Sequence, residues 1–574
     1  MKKHNLILLI FFLSGMAALI YEVVWIRPIS SVYMSTVYVV SIILTSFMLG
    51  LALGSKIAGK FTDKVKRPLF LYAFLEFAIG LYGLLLLSLF SLLPMIFEKL
   101  SLIHKPITYN LIQFFSIFSL LLIPTALMGA TFPLISKSYI KKKIGEGIGE
   151  IYSINNLGAI VGSLTAGFIL IPYLGIRYTI IIAALLNVSA GFFVLSHFYK
   201  EKLKFFVPII LMLFLLLAYY GNYNLTNLYT GGRLFKKDYL GERKVLFYEE
   251  GLHGYIAVIQ GGPMGEIKRL LLNGQGSSSL RLNDVRVSTL LGYLPQLIKP
   301  DFSNSLVIGF GTGATSSILS RHLKTTTLEI EPKVIETADY FKMINKGFDN
   351  KNHDIVYDDA RHYLLKTNEK YDIIVNHPLE PYQSFSSLLF TKEFLEITRD
   401  KLNKDGLYVQ WFPIYNLKPQ EFKDFYYTFN SVFPHQIVFV NLKAGEELVY
   451  VIKGKNIIQQ EYKVSKNDDE LIIIGSEKPI KFSEKILENN FKLLTEDDKN
   501  YLSLTSLDSQ KNIYNLLLFK GEEIENYHAN GNFMTDDKPI LEFSVPITRI
   551  KKLTRREISA MDDIVNYLET SRGK

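Results

Sequence analysis

LVIGFGTGAT, residues 306–315, is the stretch that decides the fold. Its first three residues, Leu306, Val307 and Ile308, form a short apolar run that reads as a buried strand. Glycines follow at 309, 311 and 313, with Thr312 between the last two, and ATSSILSRHL then reads as a helix. Glycine permits positive φ and lets backbone N–H groups come close to a ligand, while a helix N-terminus favours polar or anionic groups. The next strand, in TTTLEIE, ends at Glu329, roughly 20 residues beyond the loop, where a carboxylate can accept both hydroxyls of a ribose. A third element, VYDDARHYL, sets Asp359 and the adjoining Ala360 after the third strand, in position to receive an adenine amino group. Together these predict a parallel sheet that holds an adenosine-containing ligand at its C-terminal edge. The dinucleotide reading fits less well, because the third glycine is spaced too closely for G-x-G-x-x-G.

Upstream, YIAVIQ and RLLLNG read as strands of a small β unit that ends near residue 285. Further upstream the composition changes. The chain has 574 residues, 49% of them hydrophobic, and a mean hydropathy of +0.19, too apolar for a wholly soluble protein. Apolar runs long enough to cross a bilayer recur at 5–25, 33–54, 69–95, 111–135, 155–175, 178–198 and 203–221, which makes seven spans. The first is read as a retained anchor, since no small-residue cleavage site follows it. Lys56, Lys60, Lys64, Lys66 and Arg67, then Lys137 and Lys141 to Lys143, then Lys200, Lys202 and Lys204 fill alternate connections. The positive-inside rule makes these connections and the N-terminus cytoplasmic. The net charge of +9 is therefore explained by membrane topology, and a nucleic-acid role has no other support. Seven spans would leave the remainder outside, whereas Arg233, Lys236 and Lys237 argue for inside; both readings stay open, with the cytoplasmic side preferred. With no cysteine, disulfides, thiolate metal sites and cysteine nucleophiles are excluded, and no metal site is expected.

The predicted fold class is thus a multi-span α-helical membrane domain followed by an α/β Rossmann-like domain, of the class I methyltransferase kind, with a small N-terminal β unit. The expected boundaries are 1–221 for the helical domain, 222–300 for the β unit and its connection, 301–455 for the Rossmann-like domain and 456–574 for a mixed α/β extension. In that extension SEKILENNFKLL reads as a helix and ILEFSVP as a strand. Glu22 and Glu76 fall inside apolar runs and count as functional candidates, although Glu22 can equally sit at the interface beside Trp25 and Arg27. Gly158, Gly162 and Gly167 give the fifth span a small face for close helix packing.

SGMAALIYEVVW, FMLGLALGS, LNGQGSSS, LVIGFGTGAT, LEIEPKVIE, DDARHYL, YDIIVNHPLEP with LLFTKEF, GLYVQW and NFMTDDKPILEF occur in one order along nearly the whole chain. In that order the sequence resembles the spermidine synthase family of polyamine aminopropyltransferases, in its branch with a multi-span domain ahead of the synthase-like one. The resemblance implies that Gly309, Gly311, Thr312 and Gly313 cradle the aminopropyl-sulfonium end of decarboxylated S-adenosylmethionine, that Glu329 holds its ribose, and that Asp359 with Ala360 takes the adenine. The donor is a co-substrate, with no permanently bound cofactor. It also implies that His377 and Glu380, which stand where soluble members carry the two aspartates of D-x-x-D-P, are the catalytic residues acting on the attacking amine. His377 can alternatively cap the strand end. Thr312 replaces an aspartate that reads the aminopropyl ammonium, so ordinary S-adenosylmethionine stays open as donor. Val287-Ser288-Thr289 replaces Tyr-His-Glu, Asn273 an aspartate and Ser277 a glutamine, so the acceptor pocket has lost much of its negative charge. A putrescine-like amine or another acceptor, membrane lipid and a possible second copy of the chain are the expected partners. A methyltransferase on the same sheet, and a transporter or sensor that binds without turnover, are the competing readings. Thr535, Asp536 and Asp537 in TDDKP read as a turn ahead of ILEF.

Overall fold

The computed structural model describes the chain except for 1–2, 34–36, 91, 94–95, 97–105, 141–142, 200–208, 217–243, 262–266, 384–385, 416, 442–445, 454–455, 464–469, 546–558 and 573–574. Its N-terminal part is a helical bundle: α1 (Lys3–Tyr33), α2 (Val37–Thr62), α3 (Pro68–Phe90), α4 (Pro106–Tyr139), α5 (Ile144–Thr165) and α6 (Ile171–Phe198). Among the described residues, five helical stretches are long and apolar enough to cross a membrane. The fifth, Ile144–Phe198, covers two of the expected spans, because α5 and α6 run together through a single π-helical turn at Ala166–Leu170. Gly175, at φ 75° and ψ 174°, breaks it between the predicted boundaries at 175 and 178. Of the seventh expected span only 209–216 is described, and it is helical.

Small residues set the helix spacing. A Cβ added at Gly158 or Gly162 would lie about 2 Å from the carbonyl oxygens of Phe12 and Met16, so α5 rests directly on the backbone of α1. Gly167 faces open space and takes no part in that contact. Glu22 is buried within the bundle at 7% exposure. Glu76 is fully enclosed and accepts hydrogen bonds from Ser14 Oγ (2.6 Å) and Asn187 Nδ2 (2.7 Å), joining α1, α3 and α6.

The small β unit is a four-stranded antiparallel meander, β1 (Lys244–Glu250), β2 (Tyr255–Gly261), β3 (Ile267–Leu272) and β4 (Gln275–Ser279). Helix α7 (Leu282–Ile298) leads into the main sheet, whose strands are β5 (Asn304–Ile308), β6 (Lys324–Leu328), β7 (His353–Val356), β8 (Tyr371–Asn376), β9 (Leu402–Pro413), β10 (His435–Asn441), β13 (Glu470–Ser476) and β14 (Leu517–Lys520). Their spatial order is β14-β10-β13-β9-β8-β5-β6-β7. The five strands from β7 to β9 are parallel, and β13 enters antiparallel between β9 and β10. Between β10 and β13 the chain makes a separate two-stranded excursion, β11 (Glu446–Lys453) and β12 (Asn456–Lys463). The sheet thus draws two strands from beyond residue 455. The near-continuous apolar character of ELIIIGS follows from its place inside the sheet, buried along its whole length.

One element differs in kind from its expectation. Residues 540–545, read as a strand in ILEFSVP, form a helical turn. Pro539 precedes the turn, Thr535 and Lys538 close the expected TDDKP turn by exchanging backbone bonds, and burial falls on Leu541 and Val545, four apart, with Phe543 exposed.

Candidate active site

The loops at the C-terminal edge of the parallel strands carry the predicted residues. Gly309, Gly311 and Gly313 all have positive φ, at 89°, 55° and 78°, which an L side chain rarely adopts. A Cβ at Gly311 would meet nothing within 4 Å, so the loop leaves room beside its backbone. Gly313 caps the short helix α8 (Ala314–Ser320), and the neighbouring Thr312 is buried, its carbonyl accepting from Asn345 Nδ2 at 2.8 Å.

Glu329 stands opposite this loop at the end of β6 and is 8% exposed. One carboxylate oxygen accepts the N–H of Phe310 (3.0 Å) and the other that of Glu331 (3.0 Å). Burial raises its pKa, and the backbone donors work against that rise. A carboxylate has about four lone-pair positions, so the two backbone bonds leave acceptor capacity on both oxygens. Glu331 in turn accepts from the N–H of His253 (2.9 Å), fastening the β1–β2 connection to the same strand end.

Asp359 caps the helix α9 (Ala360–Lys366) by accepting from the His362 N–H at 3.0 Å, and it is exposed at the mouth of the edge. Ala360 is buried beneath it. Arg361 forms a two-pronged ion pair with Asp536 and donates to the Leu388 carbonyl at 3.0 Å. Thr391 donates to the same carboxylate at 2.7 Å. The C-terminal TDDKP turn therefore clamps α9 to the loop that follows β8.

That loop carries the other pair. His377 donates its backbone N–H to the Ile308 carbonyl at 3.2 Å, and its ring centroid lies 5.3 Å from that of Trp411 on β9. Enclosure of the ring lowers its pKa to about 4, against a weaker opposing pull from Asp284. It is a neutral imidazole at pH 7, which removes the charge repulsion that a cationic histidine would offer an amine. Glu380 accepts from the Tyr415 hydroxyl at 2.8 Å. Gly309 and His377 approach closely across β5 and β8, with a Gly309 Cβ position 2.9 Å from the His377 carbonyl oxygen.

The structure thus gathers the glycine loop, Glu329, Asp359, His377 and Glu380 on one sheet edge. Val287, Ser288 and Thr289 are buried within α7, and Val287 shares an apolar cluster with Trp411. Asn273, at φ 50°, spends its side chain on the Tyr255 N–H (3.1 Å) and so shapes the hairpin turn. Asp284, Trp411 and Tyr415 were not picked out as site residues; Trp411 closes the GLYVQW motif, and that is the one signal by which it could have been found. Among the described residues no group of three metal-ligating side chains occurs.

A spermine/spermidine synthase domain model matches residues 285–459. Polyamine aminopropyltransferase 2 of Aquifex aeolicus is 24% identical over 64% of this chain and 71% of its own length. The polyamine aminopropyltransferase of Methanocaldococcus jannaschii is 29% identical over 30% of this chain and 60% of its own, and that of Thermotoga petrophila 30% identical over 21% and 42%. A solved spermidine synthase of Thermotoga maritima aligns at 20% identity over 46% of this chain and 88% of that one, with a TM-score of 0.32. The chain spans less than two thirds of most of these curated relatives. Residues 285–459 therefore match the spermine/spermidine synthase domain model, and among the described residues five helical stretches long and apolar enough to cross a membrane precede them.

Proposed function

We propose that the protein is a membrane-bound transferase of the aminopropyltransferase kind, moving an aminopropyl group from decarboxylated S-adenosylmethionine to an amine. The observation that carries this reading is Glu329, nearly buried opposite three positive-φ glycines, with each carboxylate oxygen already oriented by a backbone N–H. In that reading Glu329 takes the ribose hydroxyls, Asp359 the adenine amino group, and Gly309 to Gly313 the sulfonium end. The acceptor nitrogen attacks the methylene carbon bonded to sulfur. The carbon–sulfur bond breaks with its electron pair going to sulfur, which leaves methylthioadenosine, and the nitrogen sheds a proton. His377 carries no charge with which to attract the ammonium that forms, so Glu380, the carboxylate of this loop, is the group assigned to that ammonium and its proton, and His377 with Trp411 to the shape of the acceptor side.

Positioning does most of the work, because the sulfonium carbon is activated before it arrives. The apolar helices support the membrane assignment, and Thr312, uncharged and buried in the glycine loop, supports methyl transfer as the second reading. Full-length protein in detergent, given decarboxylated donor labelled in its aminopropyl group or S-adenosylmethionine labelled in its methyl group, tests both. Label from the first passing to an amine together with release of methylthioadenosine supports aminopropyl transfer. Label passing only from the second overturns it in favour of methyl transfer, and label passing from neither turns the reading toward binding without turnover.

A further inference from the structure

The ends of the bundle differ in charge and in what they touch. The N-terminus, the α2–α3 and α4–α5 connections with the helix ends that flank them, and the exit from α6 make up one end, which by sequence carries Lys2, Lys3, Lys56, Lys60, Lys64, Lys66, Arg67, Lys137, Lys141, Lys142, Lys143, Lys200, Lys202 and Lys204. Lys137 donates to the carbonyls of Thr62, Asp63 and Val65 at 2.8, 2.8 and 3.1 Å, which brings two of these connections together. The other end holds the α1–α2 and α3–α4 connections and the break at Gly175, with Arg27, Lys99, Lys105 and Arg177 as its basic residues.

The synthase-like half docks on this second end. Arg27 donates to the carbonyls of Gly251 and Leu252 at 3.0 and 2.9 Å. Glu250 accepts from the Ile176 N–H at 2.7 Å, beside Gly175. Tyr38, near the start of α2, donates to the Phe543 carbonyl at 3.3 Å. Tyr255 is buried in the same apolar cluster as the bundle. Two of these contacts lead directly to the site. The Gly251–His253 segment leans on Glu331, whose N–H holds Glu329, and Glu542 beside Phe543 accepts from Ser387 of the loop bearing Glu380 at 2.7 Å.

We infer that the synthase-like domain stands on the extracytoplasmic face of the membrane, with its adenosyl site turned toward the end of the bundle. By sequence the basic residues divide fourteen to four between the two ends, and by the positive-inside rule the lysine-rich end is cytoplasmic. The chain leaves α6 at that end and begins β1 at the opposite one, so it crosses once between Phe198 and Lys244. In the apolar run 203–221 the described residues 209–216 are helical, and its 19 residues are enough, at about 1.5 Å each, for about 28 Å of the roughly 30 Å of a hydrocarbon core. This reverses the preference for a cytoplasmic soluble domain and outweighs Arg233, Lys236 and Lys237, which follow the last crossing on the outer side. Taken with the proposed function, on which this consequence rests, it means that a nucleoside-bearing sulfonium made in the cytoplasm has to be carried across the membrane before this domain can use it.

The absence of cysteine makes the test direct. Full-length Lys492→Cys, at an exposed position in the synthase-like half, and Lys64→Cys, in the first lysine-rich connection, are each treated in spheroplasts with a membrane-impermeant maleimide, before and after lysis. The inference expects Lys492→Cys to label in intact spheroplasts and Lys64→Cys only after lysis. The reverse pattern, or labelling of both before lysis, overturns it. Lys342→Cys, also exposed, gives a second reading of the outer side if Lys492→Cys fails to react even after lysis. Because no donor or acceptor enters the assay, its outcome is separate from that of the transfer experiment.

Discussion

Replacing Glu329 with glutamine keeps the size of the side chain and removes one of its two acceptors. In the folded protein its oxygens receive the N–H groups of Phe310 and Glu331, both at 3.0 Å. A glutamine can serve only one of them and turns an amino group toward the other, at a cost of about 1–3 kcal/mol in local stability. The loss in binding is larger. Two ribose hydroxyls donating to an ionised carboxylate contribute about 1.5–3 kcal/mol each, and a single neutral amide oxygen recovers about 1 kcal/mol in total. The expected net loss is therefore about 2–5 kcal/mol, or roughly 30-fold to several thousand-fold in affinity. Calorimetry with methylthioadenosine on full-length protein measures it, with a thermal melt confirming that the variant is folded. Because burial raises the carboxyl's pKa, wild-type affinity should also begin to fall at a higher pH than an ordinary glutamate would produce. A folded Glu329→Gln protein whose affinity stays within about threefold of wild type would refute the assignment of the ribose to this residue.

His377 gives a second, pH-dependent prediction. Its folded pKa of about 4 lies below the ordinary 6.5, so the unfolded chain binds the proton first as pH falls. Its contribution is present above pH 6.5 and is lost between there and about 4, at most about 3 kcal/mol. Denaturation midpoints of wild type and His377→Gln should therefore converge as the pH is lowered through that window, and parallel curves would count against it. Arg361→Ala and Asp536→Ala should each destabilise by about 1–3 kcal/mol, with the double variant little worse than either single one, since they break the same clamp. Additive losses in that cycle would show that the pair does not act as a unit. Gly158→Ala places a methyl group against the Phe12 carbonyl and should lower the bundle's melting temperature by an amount corresponding to about 1–3 kcal/mol, read by light-scattering onset in detergent; an unchanged onset would show that α1 and α5 can separate freely.

The features legible in the sequence are those that a few adjacent residues fix. The run Leu306 to Ile308 is buried between neighbouring strands, and each glycine that follows needs positive φ, so strand and loop were readable together. The order of Glu329 and Asp359 at successive strand ends follows from the same local repeat. The insertion of β13 between β9 and β10 was not legible, because it depends on a strand that returns after a separate hairpin, and ELIIIGS says only that it is buried. ILEFSVP alternates as a strand would, yet Pro539 and the turn before it start a helix, and the sequence offers both patterns at once. The environment of His377 also lay out of reach. Trp411 comes from β9 and Asp284 from the start of α7, and only folding brings them to the ring.

These surroundings bear on how charge would move in the proposed reaction. The donor enters with a positive charge on sulfur, which disappears as the carbon–sulfur bond breaks, and the attacking nitrogen gains it. Stabilisation specific to the transition state must therefore lie on the acceptor side. Glu329 is on the donor side and is held in place by backbone N–H groups whether or not the reaction proceeds, so it favours binding over rate. His377, its pKa lowered by burial, brings no net charge to the acceptor side. Glu380, oriented by Tyr415 at 2.8 Å, is the carboxylate of this loop that can meet the new ammonium and then its proton. On that argument Glu380→Gln lowers kcat by about 10²-fold to 10⁴-fold and leaves donor affinity unchanged. Glu329→Gln does the opposite, and a Glu380→Gln variant that lost donor binding while keeping its rate would show that the two carboxylates had been assigned to the wrong halves of the site.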